Sequence, residues 1–304
     1  MIENFSVIFL SIVLEALPFV MLGAFISSII QIYVSENTIA KILPKNKFIG
    51  LLAASLAGLV FPVCECAIIP ITRRLIKKGV PLNIAVTFML AVPIVNPVVL
   101  LSTYYAFHSK PYVVFIRGGF GLLAAITIGF LTGIMEEKKN PLKPSFIEND
   151  SICSCGFDHS YKKQKSKFLE IVQHMNMELY DIGKLLILGA FISAAFQTIV
   201  SRKYILLVGE HSIYSITAMM LFAFVLSLCS EADAFIASTF LGQFSLGGIV
   251  SFLILGPMID IKNTLMLTAS FKSRFVIKLI FLVFIICFII GYIINAAIKI
   301  GVIQ

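Results

Sequence analysis

The chain has 304 residues, 59% hydrophobic and 13% charged, with a mean hydropathy of +0.99. A soluble domain is about 45–50% apolar and about 25% charged, so a soluble protein is excluded, and the lack of strand alternation excludes an outer-membrane barrel. The net charge of +8 does not signal nucleic-acid binding, because the cations gather in loops without interleaved aromatics, where they set membrane orientation.

A membrane-crossing helix needs about 20 apolar residues. Eight apolar stretches stand out, at 5–34, 48–72, 81–107, 112–135, 180–200, 214–241, 245–271 and 275–298. The predicted fold class is an all-α polytopic membrane protein of about eight hydrophobic segments, making eight to ten crossings or re-entrant pieces. The first stretch lacks the basic n-region of a signal peptide, having only Glu3, and reads as a retained helix. The second is flanked by Lys41, Lys45 and Lys47 on one side and by Arg73, Arg74, Lys77 and Lys78 on the other. If both flanks are cytoplasmic, this stretch is a hairpin or a re-entrant pair of short helices rather than a simple crossing. The third and fourth stretches then go out and back. Between the halves, 136–178 is polar and lacks an apolar period, and it reads as a mobile cytoplasmic linker.

The chain repeats itself. Leu22-Gly23-Ala24-Phe25-Ile26-Ser27 recurs as Leu188-Gly189-Ala190-Phe191-Ile192-Ser193, and Gln31 matches Gln197, and Glu65 matches Glu231, at the same offset of 166. At an offset of 164, Phe88, Pro93 and Asn96 match Phe252, Pro257 and Asp260. The reading is a first transmembrane repeat over 1–135, the linker over 136–178 and a second repeat over 179–304. The uncharged loop near 242–248 faces the opposite side from its basic counterpart, which makes the repeats inverted. Lys110 and Arg117 fit that assignment poorly, and a plain eight-crossing chain with parallel halves is the alternative. The N-terminus is then outside the cell membrane and the linker inside.

Polar residues in apolar runs nominate the site. Glu65 lies in Phe61-Pro62-Val63-Cys64-Glu65-Cys66, and a charge at the bilayer centre costs about 2.5–3.5 kcal/mol on insertion scales. Such an acid has a partner or a job, unless it snorkels at a helix end near Arg73 and Arg74. Pro62 and Pro70 break the helix around it by removing backbone hydrogen bonds. Cys64 and Cys66 can grip one soft ion only if the segment is unwound, and the alternative is that both are small buried hydrophobes. The second half brings Cys229, Glu231 and Asp233. Thiols with carboxylates suit a soft cation or metalloid, whereas carboxylates alone suit a proton relay. Glu65, Glu231 and Asp233 are therefore the proton-coupling candidates. Cys64, Cys66, Cys229, Pro93, Asn96, Pro257 and Asp260 are the substrate-binding ones, with Asp260 alternatively near the surface beside Lys262. Glu15 and Asp181 read as interfacial. In the linker, Cys153, Cys155 and His159 form a weak metal-docking candidate whose other reading is a loop with incidental thiols. No cofactor is called for. The histidines lie in loops or at helix ends, and no nucleophile–His pair or P-loop occurs, so an enzyme is not the reading.

At these residues the sequence resembles a known family. Phe61 to Pro70, Gly79-Val80-Pro81, Phe88 to Pro97, Cys229 to Phe235 and Gly256 to Asp260 resemble the signatures of the predicted permeases that include the ArsP and YraQ proteins. The resemblance implies an inner-membrane permease. Its arsenic branch exports trivalent organoarsenicals, and some members are paired with a second membrane or exported subunit. The expected function is a secondary exporter of a small soft or metalloid solute driven by protons; the alternative is a subunit active only with a partner. The expected partners are the bilayer, the solute and that second subunit, with homo-oligomerisation left open and nucleic acid excluded.

Overall fold

The computed structural model describes residues 2–33, 46–60, 63–136, 141–143, 167–199 and 212–300. These form twelve α-helices. In chain order they are α1 (Ile2–Tyr33), α2 (Lys47–Leu56, extended by a 3₁₀ turn at Ala57–Leu59), α3 (Glu65–Lys77), α4 (Leu82–Val95), α5 (Pro97–Ala106) and α6 (Tyr112–Met135). The second half has α7 (Lys167–Ile199), α8 (Ser212–Leu226), α9 (Asp233–Ser238), α10 (Leu246–Met258), α11 (Ile261–Ser270) and α12 (Ser273–Lys299). Five spans are long and apolar enough to cross a membrane, namely α1, α6, α7, α10 with α11, and α12. The pair α4–α5, bent by 40°, makes a sixth. The stretches 48–72 and 214–241 are instead short helices separated by a break.

Close approaches give the helix directions. A Cβ on Gly23 would fall 2.6 Å from the Ala67 carbonyl oxygen, and Arg74 and Lys78 reach Gln31 at 2.9 Å each. Helix α3 therefore starts near the middle of α1 and runs parallel to it, toward the Tyr33 end. After a turn, α4 runs back. Gly50 faces Ile84 and Gly58 faces Val92, so α2 is parallel to α4 and antiparallel to α3. Both outer ends of the α2–α3 pair thus lie at the Tyr33 end of α1, and the pair is a hairpin whose tip lies halfway in. Helix α6 returns antiparallel to α4, with Gly121 against Ile94 and Gly129 against Thr87.

Helix α7 lies antiparallel to α1: Ser27 donates to Glu178 at 2.9 Å, and the Phe5 and Phe191 rings meet at 5.2 Å. It starts at Lys167, inside the stretch read as a linker, so that stretch is shorter than expected. Its near end is also anchored. The Lys272 amide donates to the Pro141 carbonyl at 2.8 Å, the Lys143 amide donates to Ser270, and Glu136 pairs with Lys278. Helix α12 therefore begins at the Tyr33 end. It runs antiparallel to α10, because Ser251 donates to the Cys287 carbonyl and Asn295 accepts from the Gly247 amide. Helix α8 is parallel to α10, with Ser215 facing Gly248 and Ala223 facing Gly256. The chain after α9 returns to the start of α8, where Ser245 bonds Ser215 at 3.0 and 3.1 Å. The α8–α9 pair is thus a second hairpin, entered from the Ile2 end.

Local chemistry explains the breaks. Irregular backbone at membrane depth survives only when its polar groups are satisfied. Asn96 accepts from the Val98 amide at 3.0 Å to cap α5, and Asp260 accepts from the Asn263 amide to cap α11. Both are N-caps, and Pro97 sits at the first position of α5, where its missing N–H costs nothing. Pro93 and Pro257 lie inside α4 and α10, three residues before the breaks. Pro70, expected to break its helix, lies within α3; the break comes earlier, before Glu65. Pro62 is outside the described residues.

The hairpin reading has a direct test. In a cysteine-free chain, Asn46→Cys and Pro81→Cys should react with an impermeant thiol reagent from one face of the membrane, and Gln243→Cys from the other. Opposite-face labelling of Asn46→Cys and Pro81→Cys would make 48–72 a crossing.

Candidate functional site

The tip of the first hairpin holds Cys64, whose extended backbone (φ −81°, ψ 173°) precedes the first turn of α3. Cys66 and Glu65 lie in that turn. A cavity forms here, walled by Ile12, Glu15, Ala16 and Phe19 of α1, by Cys64, Glu65 and Cys66, and by Ser227, Cys229 and Lys262 from the second half. Its volume is about 10 Å³, room for one water at most. Cys64, Cys66 and Cys229 are all buried free thiols. The helix end adds uncapped amides and the positive end of its dipole, next to which Glu65 is favourably placed.

Glu65 is 3% exposed. It accepts from Ser230 Oγ at 3.3 Å and faces Lys262 Nζ at 3.5 Å. Lys262 is 3.9 Å from Asp260 Oδ2. On its other side, Ser230 offers its carbonyl to Arg117 Nη2 at 3.1 Å. The same guanidinium donates to Asp233 Oδ2 at 2.9 Å and to Thr103 Oγ1 at 2.7 Å. Asp260, Lys262, Glu65, Ser230, Arg117 and Asp233 thus form one buried polar chain. It passes between the halves and joins both hairpin tips to the broken span α10–α11 and, through the Thr103 hydroxyl on Arg117, to α5.

Of the nominated residues, Cys64, Glu65, Cys66 and Cys229 share the cavity. Asn96 and Asp260 serve as caps, Pro93 and Pro257 precede the breaks, and Asp233 is held by Arg117. Glu231 is half-buried beside the second tip. Among the described residues no three His, Cys, Asp or Glu side chains converge to hold a metal ion. Cys153, Cys155 and His159 lie outside the described residues.

Several charges differ from expectation. Asp260 and Lys262 are not near the surface; they are 0% and 3% exposed. Glu15 lies halfway along α1, on the cavity wall, rather than at an interface. Asp181 is half-exposed and pairs with Lys184 at 3.3 Å. Arg117, which fitted the charge rule poorly, is fully buried in an ion pair and so carries no orientation signal. Arg73 and Arg74 turn to another acid. Both bond Glu178, which also accepts from Ser27. Sequence reading missed Lys262, Arg117, Ser230 and Glu178. A lone charge inside or beside an apolar run was the available signal for Arg117, as it was for Glu65.

A family model for predicted permeases of the ArsP type matches residues 1–296. The chain belongs to the predicted-permease family. This permease is 49% identical over 273 residues to UPF0718 protein YcgR of Bacillus subtilis, covering 90% of each chain. It is 39% identical over 289 residues to a Streptococcus mutans protein named "Putative two-component membrane permease complex subunit", covering 93% of this chain and 94% of that one. It is 29% identical over 133 residues to UPF0718 protein MJ0584 of Methanocaldococcus jannaschii, covering 42% and 34%. No solved structure matches. The family and the apolar helices make the permease a multi-pass membrane protein.

Removing one partner of a buried ion pair leaves the other charge uncompensated, at a cost of about 3–5 kcal/mol, whereas replacing both by apolar groups of similar size is often near neutral. Arg117→Met or Asp233→Leu alone should therefore sharply lower the melting temperature in detergent, and the double variant should recover much of the loss. Additive losses would show that the pair does not hold the second tip.

Proposed function

We propose that this permease is a secondary transporter rather than an enzyme, and that it exports a small soft or metalloid solute through the cell membrane in exchange for protons. The observation that carries this reading is the meeting of three thiols and two acids, Glu15 and Glu65, in one cavity formed by both halves near the middle of α1. Thiolate and carboxylate together favour soft cations and metalloids, and midplane sites between broken helices are where secondary transporters bind. Cys64, Cys66 and Cys229 would touch cargo. Glu65 is the principal coupling acid, with Glu231 and Asp233 beside it, and Asn96, Asp260, Pro93 and Pro257 shape the broken spans that carry the site.

Two inverted repeats are part of this reading. It is supported by the opposite directions of corresponding helices and by hairpins entered from opposite ends. Corresponding pairs also pack alike: α2 on α4 as α8 on α10, α4 on α6 as α10 on α12, and α3 on α11 as α9 on α5. The Lys and Arg residues at the Tyr33 end favour a cytoplasmic linker and an external N-terminus. A second reading, a subunit active only with a partner, is favoured by the printed name of the Streptococcus mutans relative. Activity appearing only on co-expression with a second membrane protein would support it.

Everted vesicles containing the permease should accumulate a trivalent methylated arsenical, and an uncoupler should abolish the accumulation. Glu65→Gln should insert normally and lose at least ten-fold of this uptake. Undiminished uptake by Glu65→Gln would remove its coupling role, and no uptake above empty membranes would remove the arsenical.

A further inference from the structure

We propose that Lys262 is a tethered stand-in for positive charge that arrives with the cargo, as the cargo's own or as a proton, and that cargo binding displaces the Lys262 ammonium from between Glu65 and Asp260. This rests on the reading of the cavity as the transport site.

The two ion pairs within the buried polar chain are built differently. Arg117 is held by bonds of 2.7, 2.9 and 3.1 Å to three partners, near the lengths of strong charge-assisted bonds. Lys262 Nζ stands 3.5 Å from Glu65 and 3.9 Å from Asp260. An ammonium has three donors, and at these distances none is well used. The Asp260 Oδ2 that faces it is fully buried and has no hydrogen-bond partner among the described residues. Arg117 is a fixed strut, whereas Lys262 balances charge without being locked in place.

Only the side chain of Lys262 is free to leave. Its backbone belongs to a capped helix, and its amide faces Ser227 Oγ at 3.5 Å. Helix α7 lies against it so closely that a Cβ on Gly189 would be 2.9 Å from Lys262 Cα. A lysine carries its charge on a flexible four-carbon stem, so the ammonium can swing while α11 stays. With the ammonium in place, the cavity is too small for a solute. Once it leaves, Glu65 and Asp260 lose their counter-charge beside three thiols, with Glu15 on the same cavity wall. Burying two uncompensated carboxylates is prohibitive, so departure of the ammonium must be matched by positive charge on what replaces it or by a proton on an acid, and the thiols select a soft species. A neutral solute would balance the site only with a proton on one of the acids, which is the exchange proposed above.

The test uses the full-length chain with Cys153→Ser and Cys155→Ser, purified in detergent and titrated calorimetrically with Cd²⁺ as the soft-cation probe. Lys262→Gln should bind Cd²⁺ at least ten-fold more tightly than its parent, Lys262→Arg no more tightly, and adding Cys64→Ser should abolish the gain. Unchanged or weaker binding by Lys262→Gln, with parental binding still dependent on Cys64, would overturn the stand-in role and leave the cavity as a cation site. Absence of Cys64-dependent binding in both would overturn the cavity reading and the stand-in role together. A second measurement needs no substitution at Lys262. In the parent, Cd²⁺ should make Lys262 several-fold more reactive toward an amine-acylating reagent, read by mass spectrometry; unchanged reactivity or protection would overturn the proposal.

Discussion

The structure depends on keeping six buried polar groups in mutual contact across the junction of its halves. An isolated charge at this depth would cost several kilocalories per mole. Neither half carries a full set of partners for its own charges. Glu65 of the first hairpin is balanced by Lys262 of the second half, and Asp233 of the second hairpin by Arg117 of the first. Ser230 joins the two pairs, through its hydroxyl to Glu65 and its carbonyl to Arg117. The halves are thus held together by the electrostatic debt each would carry alone, and any rearrangement at one pair is felt at the other.

That arrangement needs helices that break level with the middle of α1, and short-range chemistry supplies the breaks. Asn96 and Asp260 perform the same capping task, each accepting from one first-turn amide where its broken span restarts. The second tip turns at Ser227, whose φ of +47° is rare for a residue other than glycine. Its hydroxyl lies toward the Lys262 amide, which gives the strained conformation a local partner. The Cys229 carbonyl then accepts from the amides of Ala232 and Asp233, turning the chain into α9.

Much of this could be read from the residues, and the exceptions share a cause. Glu65, the cysteines and the paired proline and Asn/Asp positions stood out because polar groups in apolar runs are conspicuous. The repeat was visible because Leu22–Ser27 recurs almost unchanged. Lys262 and Arg117 were discounted because positive charges near helix ends normally mark the membrane boundary, and only three-dimensional proximity to Glu65 and Asp233 reveals a buried role. Glu178 was lost with the linker, since the helix that carries it is polar at its start and has a weak apolar period. Hairpin directions rested on which faces meet at Gly23, Gly50 and Gly58, information that a glycine in an apolar run does not disclose.

The halves pack alike except at their first helices. Helix α1 lies along α7, and both cover the crossing of α3 with α11. The equivalent crossing of α9 with α5 has no such cover among the described residues, and it exposes Leu101, Tyr105 and Phe235. Among the described residues, one flank is therefore covered by a long helix pair and the other is bare. If the halves rock against each other, the long antiparallel seam of α1 and α7 is the natural axle and the bare flank travels furthest. The thiol cavity lies beside that axle, where a small rotation gives little displacement but high leverage. Such a molecule would open its centre by fractions of a side-chain length while its far edge sweeps through the surrounding lipid.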